Sequence, residues 1–318
     1  MAATVASAYP ETPNRESAEM TIDPRRRHVL GAMLATPLVF SVGTAVRAAT
    51  ARGVAPLDQL AALERRHGGR LGVAILDTAS GRRINHRGED RFAMCSTFKW
   101  LLAAQVLARV DRGEEALDRR ILVAESDIVS HSPVTEHRIG EPGMTVAELA
   151  EAAVTRSDNA AANLLLASGG GPEGFTAFLR SIGDDWTRLD RIETALNSAT
   201  PGDPRDTTTP AAMLRDLQAV LLGDVLQPAS RALLVGWLVG NQTGDARLRA
   251  GLPDTWRVGE KTGSGGHASH NDVGIAWPPG RAPLLVAAYY AEAEDTTQAQ
   301  RDAVLADVGR VVAGLATA

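Results

Sequence analysis

The chain has 318 residues, a formal net charge of −5, and 44% hydrophobic against 22% charged side chains, which fits a globular protein of one large or two modest domains. No basic block beyond Arg25-Arg26-Arg27 is present, so a nucleic-acid surface has no electrostatic support. Cys95 is the single cysteine, which excludes an intramolecular disulfide and any metal site built from cysteines.

Residues 1–51 read as an export signal with an N-terminal extension. A polar stretch from Ala2 to Asp23 leads to Arg25-Arg26-Arg27. An uncharged run from Val29 to Val46 follows, and then the small residues Ala48, Ala49 and Ala51. Charged, apolar and small segments in that order make a cleavable signal. The paired arginines ahead of Val29-Leu30 resemble a twin-arginine signal. The run approaches membrane-spanning length, but Gly31, Pro37, Gly43 and its Ala, Ser and Thr residues leave it only mildly apolar. The expectation is cleavage, no stable membrane insertion afterwards, and a secreted, periplasmic or cell-envelope protein.

The spacing of Leu57, Leu60, Ala61 and Leu63 predicts a helix from Pro56 to Arg66. Leu71–Asp77 reads as a strand, Thr78–Gly81 as a turn and Ile84–Arg87 as a return strand. From Trp100 to Val110 nearly every residue is apolar, so this is a buried helix, with Ser96 expected at its N-terminus. The middle third is expected to be helical. Thr145-Val-Ala-Glu148 is a capping box, Gly171-Pro172 opens one helix, and Thr209-Pro210 opens another that runs to Leu222. Between these lies Asp184–Asp206, a long stretch of weak periodicity. A loop of that length inside a compact domain is usually functional. Strand patterns return at Trp256–Gly263, Asp272–Trp277 and Leu284–Ala291, and Thr297–Leu315 closes the chain as a helix. The expected fold is therefore α/β (α+β). Residues 52–88 and 241–318 would form an α/β domain, residues 89–240 an all-α domain, and the site would lie at their seam.

Only two of the 33 basic side chains are lysines, Lys99 and Lys261. In so arginine-rich a chain, a retained lysine marks a place where arginine would fail. An ammonium can lose its proton when its surroundings depress its pKa, and a guanidinium cannot. Ser96 and Lys99 stand at i and i+3 on one helical face, so a neutral Lys99 could take the Ser96 proton and make it a nucleophile. A Ser-x-x-Lys spacing alone arises by chance roughly once in a protein of this size and carries little weight. Here four motifs follow in order, and they use both lysines: Ser96-Thr-Phe-Lys99, Ser157-Asp-Asn159, Glu193-Thr-Ala-Leu-Asn197 and Lys261-Thr-Gly263.

The set resembles the class A serine β-lactamases, and the resemblance extends from about Leu71 to the C-terminus. Ser132-Pro-Val-Thr-Glu136, Arg188-Leu-Asp-Arg191, Arg205-Asp-Thr-Thr208 and Pro210-Ala-Ala212 share in it. It implies a β-lactamase/penicillin-binding transpeptidase-like fold, with an antiparallel sheet flanked by helices and a separate all-α domain. The implied activity is hydrolysis of a small-molecule β-lactam through an acyl-enzyme, by a monomer needing no cofactor and no metal. Ser96 would be the nucleophile and Ser157 the proton relay to the leaving nitrogen. The backbone N–H groups of Ser96 and Ser264 would form the oxyanion hole, and Asn159 would position the substrate's side chain. Glu193, with Asn197, would deliver the hydrolytic water. This separates the chain from penicillin-binding peptidases, which stall once acylated, and from a silent binding protein, which would lack Ser96, Lys99 or Glu193.

The substrate carboxylate would meet Lys261, Thr262, Gly263 and Ser264. Many relatives add an arginine on the strand after Lys-Thr-Gly, where this chain has His270. Arg247, preceded by Thr243, is the expected replacement, with Arg249 the alternative; this pattern looks like the actinobacterial branch. His131 stands where relatives offer an aromatic ring at the mouth of the site. His267-Ala-Ser-His270 holds two histidines with no third ligand in view and reads as loop rather than metal site.

Overall fold

The computed structural model describes residues 55–316. The export-signal reading of residues 1–51 lies outside them. In chain order, helix α1 (Pro56–His67) leads to strands β1 (Arg70–Asp77), β2 (Arg83–His86) and β3 (Phe92–Ala93), then to α2 (Phe98–Asp111). A small hairpin, β4 (Arg120–Val123) with β5 (Gly140–Thr145), precedes α3 (Val146–Thr155), α4 (Asn159–Ser168) and α5 (Gly171–Ser181). Strand β6 (Thr207–Thr208) is followed by α6 (Pro210–Leu221), α7 (Pro228–Val239) and the short α8 (Leu248–Gly251). The chain ends with β7 (Arg257–Ser264), β8 (His270–Trp277), β9 (Leu284–Ala291) and α9 (Gln298–Ala316).

Five of these strands form one antiparallel sheet in the order β2-β1-β9-β8-β7. Its central pair joins the two ends of the described chain, with Val73 opposite Ala288 and Ile75 opposite Val286. Because side chains alternate across a strand, Leu71, Val73 and Ile75 point to one face, where they pack with Leu60, Val304 and Val308 of α1 and α9. Ala74 and Leu76 point to the other face, into a core shared with Trp100, Leu101, Met213 and Leu217 of α2 and α6. The sheet is thus covered on both sides, which is why β1 and β9 read as nearly continuous apolar runs.

Helix α2 runs through the second core, buried from Phe98 to Ala108. The caps fall where the sequence put them. Thr145 Oγ1 accepts from Glu148 N at 3.1 Å while Glu148 Oε2 accepts from Thr145 N at 2.7 Å, and Thr209 Oγ1 accepts from Ala212 N at 3.1 Å with Pro210 behind it. The β4–β5 hairpin, α4 and α7 were not expected. The hairpin is short and half-exposed, Ala-rich α4 shows little amphipathic contrast because both its faces are largely buried, and α7 buries only Ser230, Leu234, Trp237 and Leu238.

Candidate active site

Ser96 sits one step away from its expected place. The α-helix begins at Phe98, and Ser96 lies in a 3-10 turn, Cys95–Thr97, that leads into it. The cause is local: Cys95 adopts φ +47°, and the Phe98 N–H reaches back only as far as Cys95 O and Ser96 O. The turn is tied down from three sides. Met94 N donates to Asp206 O at 2.9 Å, Thr97 Oγ1 donates to Met94 O at 2.8 Å, and Asn271 Nδ2 of β8 donates to Ala93 O at 2.9 Å. Strand β7 passes so close that a Cβ on Gly263 would lie 2.7 Å from Met94 O. Beyond it, a Cβ on Gly265 would lie 2.6 Å from Cys95 Sγ, so only glycine lets the strand end rest on the turn that carries Ser96. The Cys95 thiol is wholly buried, and burial, followed by the nearby Glu193 charge, pushes its pKa up to about 12. It is packing rather than a reactive thiolate.

Lys99, the second residue of α2, is completely buried. Its Nζ lies 3.0 Å from Glu193 Oε1, donates to Ser157 O at 2.8 Å, and donates to Asn159 Oδ1. Ser96 Oγ donates to the same Glu193 oxygen at 3.3 Å, so one carboxylate oxygen faces both the hydroxyl and the ammonium. Asn197 Nδ2 donates to the other oxygen, Oε2. Burial depresses the Lys99 pKa, and the Glu193 charge opposes that shift.

Glu193 is held by more than its side chain. Asn163 of α4 accepts from Glu193 N at 2.9 Å and donates to Glu193 O at 2.9 Å. Asn163 is not among the residues expected from sequence, although a lone amide four positions after Asn159 in an Ala- and Leu-rich helix is a readable signal. The neck of the 184–206 loop is closed by Arg191 Nε on Asp206 Oδ2 at 2.6 Å, while Asp206 Oδ1 accepts from Asp190 N at 2.7 Å and Arg191 N at 2.9 Å.

Ser157 and Lys261 complete this wall. Lys261 Nζ donates to Ser157 Oγ at 3.0 Å and to Thr262 O at 2.8 Å. Burial holds the Lys261 pKa well below the usual lysine range, and the charges of Lys99 and Arg247 push it the same way. Asp158 caps α4 through Ala161 N at 2.9 Å and also accepts from Val134 N and Thr135 N. It therefore pins the 130–135 segment, with His131, against the site. Asn159 Nδ2 donates to Ser130 O at 2.7 Å, leaving its oxygen to Lys99.

The opposite wall carries the residues expected to meet a substrate carboxylate. The hydroxyls of Thr243 and Thr262 lie 2.5 Å apart. Arg247 Nη2 donates to Ser264 Oγ at 2.8 Å, and its Nη1 donates to Gly263 O at 3.0 Å and Asn271 O at 2.7 Å. Arg249, the alternative, turns away to Glu260 Oε1 at 2.9 Å. His267 and His270 diverge, toward Glu294 Oε1 at 3.0 Å and Asp302 Oδ1 at 2.6 Å. No group of three or more His, Cys, Asp or Glu suited to a metal ion occurs among the described residues.

Between the walls lies a cleft of about 490 Å³ lined by Ser96, Ser157, Asn159, Arg247, Thr262 and Ser264, with His131, Thr243, Gly263 and Asn197 also at its surface. Ser130, Thr194 and Gln298 line it as well and were not foreseen. Gln298 is the first residue of α9, so the final helix starts at the cleft. Among the expected residues, Lys99, Glu193 and Lys261 stand behind its surface, each bonded to a residue that lines it.

A model of the β-lactamase enzyme family matches residues 56–315. Beta-lactamase L2 of Stenotrophomonas maltophilia is 52% identical over 281 residues, covering 87% of this chain and 92% of that protein. Beta-lactamase Toho-1 of Escherichia coli is 46% identical over 287 residues, covering 90% and 97%. Among solved structures, an ancestral (GNCA) class A β-lactamase aligns with a TM-score of 0.80 at 64% identity, covering 82% of this chain and 99% of that one. A putative class A β-lactamase, PenP from Rhodopseudomonas palustris, aligns with a TM-score of 0.80 at 60% identity, covering 82% and 100%.

Proposed function

We propose a residue-level mechanism from one premise: this chain belongs to the β-lactamase enzyme family, as a class A serine β-lactamase that hydrolyses β-lactams and confers resistance to them. Ser96 Oγ attacks the lactam carbonyl and its proton passes to the Glu193–Lys99 pair. The developing oxyanion is met by the backbone N–H groups of Ser96 and Ser264, placed to favour the tetrahedral species over the planar carbonyl. Ser157, whose Oγ accepts from Lys261, gives its proton to the leaving nitrogen as the ring opens and is reprotonated with the proton that Ser96 gave up, which returns Glu193 to its carboxylate form. Glu193, with Asn197 beside it, then takes a proton from water. The hydroxide attacks the ester carbonyl, the Ser96–acyl bond breaks, and the proton returns to Ser96.

Thr262, Ser264, Lys261, Gly263, Arg247 and Thr243 receive the substrate carboxylate, while Asn159 and His131 face its side chain. The observation that carries this reading is the shared Glu193 oxygen, 3.3 Å from the Ser96 hydroxyl and 3.0 Å from the Lys99 ammonium. Lysine rather than arginine is needed beside it because only the ammonium can exchange its proton.

The same proposal includes an α/β domain from residues 52–88 and 241–318 and an all-α domain from 89–240. It also includes a monomer exported through the twin-arginine motif, cleaved, and secreted or held in the cell envelope. The support is the layout of residues 25–51, and no helix among the described residues is long and apolar enough to cross a membrane.

The test is nitrocefin hydrolysis by the purified protein, with intact mass followed over time. Steady turnover is expected, with neither turnover nor adduct in Ser96→Ala. A wild type that stalls as a stable adduct would mean a penicillin-binding protein instead.

A further inference from the structure

Asp302, in the second turn of α9, was not singled out by any motif, yet two bases converge on one of its oxygens. His270 Nε2 lies 2.6 Å from Asp302 Oδ1, and Arg247 Nε donates to that same oxygen at the longer distance of 3.2 Å. All three are largely withdrawn from solvent, with His270 2% and Arg247 6% exposed. His270 is also the cross-strand partner of Ser264, and its Nδ1 stands 3.5 Å from Ser264 Oγ. The four side chains therefore close a ring from Arg247 to Ser264, His270 and Asp302, and back to Arg247.

The protons in this ring follow from donor and acceptor chemistry. A carboxylate only accepts, so Nε2 carries the His270 proton and donates it to Asp302, which leaves Nδ1 as an acceptor for the Ser264 hydroxyl. Burial, and then the Arg247 charge, hold the His270 pKa down at about 4 against the pull of Asp302, in keeping with a neutral ring. Ser264 Oγ accepts from Arg247, so its own proton rests on a long bond to His270 that an incoming carboxylate can take over at little cost.

Arg247 cannot swing toward a ligand, because Nη1 is occupied by two backbone carbonyls. What it offers an anion is its field and the Ser264 hydroxyl it holds. Asp302 can cancel that field. With its nearest oxygen held by His270, Asp302 stays at the long end of its bond to Arg247. Without His270, nothing prevents the carboxylate from closing on Nε and Nη2 in the bidentate geometry that arginine favours, drawing Nη2 off Ser264.

We infer that His270 and Asp302 are a positioning pair that sets how much of the Arg247 charge reaches the substrate carboxylate, with His270 restraining Asp302 from neutralising Arg247. This rests on the β-lactamase reading above and extends it to two residues outside the reacting group.

The experiment is steady-state kinetics on the purified full chain with nitrocefin and with the methyl ester of its carboxylate. Wild type, His270→Ala, Asp302→Asn and the double variant are compared, and a thermal unfolding curve is taken for each. His270→Ala is expected to raise KM for nitrocefin about tenfold, the loss of one charge-assisted hydrogen bond, with kcat within about twofold and the ester unaffected. Adding Asp302→Asn to His270→Ala is expected to restore KM to within about threefold of wild type, because the charge that His270 restrained is gone.

A loss in His270→Ala that Asp302→Asn does not repair overturns the inference and leaves His270 as sheet packing. An equal loss on the ester overturns it too. An unchanged KM in folded His270→Ala does the same. Failure of the wild type to hydrolyse nitrocefin would instead reject the reading on which this one is built.

Discussion

On one wall of the cleft, Lys99, Glu193 and Lys261 are buried to the last atom or nearly so. On the other, Arg247, His270 and Asp302 share their charges around a ring that touches solvent. The first wall assembles α2, α4, β7 and the 184–206 loop around the fully buried Lys99–Glu193 ion pair. Removing one member there strands another in a dry site, typically at about 3–5 kcal/mol. The second wall divides one carboxylate oxygen between two bases, so a substitution redistributes charge instead of stranding it. Chemistry would fail on the first wall and be tuned on the second, and each of the following substitutions breaks or sharpens that contrast.

The largest effect is expected from Lys99→Arg, which keeps the charge and removes the exchangeable proton. The kcat for nitrocefin should fall by roughly 10²–10⁴-fold, the usual contribution of a positioned acid or base. A loss under about tenfold would show that charge alone suffices at this position and would erase the contrast.

Arg247→Ala comes next and should act on binding. KM for a carboxylate-bearing substrate is expected to rise about ten- to a hundredfold, the range of a charged hydrogen bond, while kcat changes less. A drop confined to kcat would move Arg247 into the bond-breaking steps.

The smallest effect concerns Asp216 of α6, which does not line the cleft. It is buried with Oδ2 unpartnered, and burial, followed by the charge of Asp184, holds its pKa well above the usual carboxylate value. A carboxyl raised in the folded state binds its proton more tightly there than in the unfolded chain. It therefore costs nothing below its unfolded pKa near 3.8 and reduces stability as pH rises toward the folded value. Asp216→Asn should thus raise the melting temperature by a few degrees at about pH 8, and by less at about pH 4, in parallel unfolding scans. Equal shifts at both pH values would point to packing instead of ionisation.

The legibility of this molecule follows the same division. The first wall was readable because its chemistry forces residue types at short spacing. Ser96 and Lys99 fall three apart, Ser157 and Asn159 two apart, and Glu193 and Asn197 four apart, each pair within one turn or loop. The sheet was readable too, since β1 and β9 are apolar runs and β7 and β8 are short strand-like segments, and the structure carries them within a residue or two of where the pattern put them. Asn271 and Asp302 escaped because each acts on a partner distant in the chain, 178 positions away on Ala93 and 55 positions away on Arg247. No local period marks such residues. The one-step displacement of Ser96 into a 3-10 turn escaped because nothing in Met94-Cys95-Ser96 marks the positive φ that Cys95 adopts.

The central claim is that Glu193 delivers the water that frees Ser96, and intact mass of Glu193→Ala after mixing with excess nitrocefin tests it most directly. The variant is expected to gain the mass of one substrate on Ser96 and hold it for minutes or longer, while the wild type shows no lasting adduct and keeps turning over. Sustained turnover by the variant at a rate near wild type, with no adduct, would contradict it.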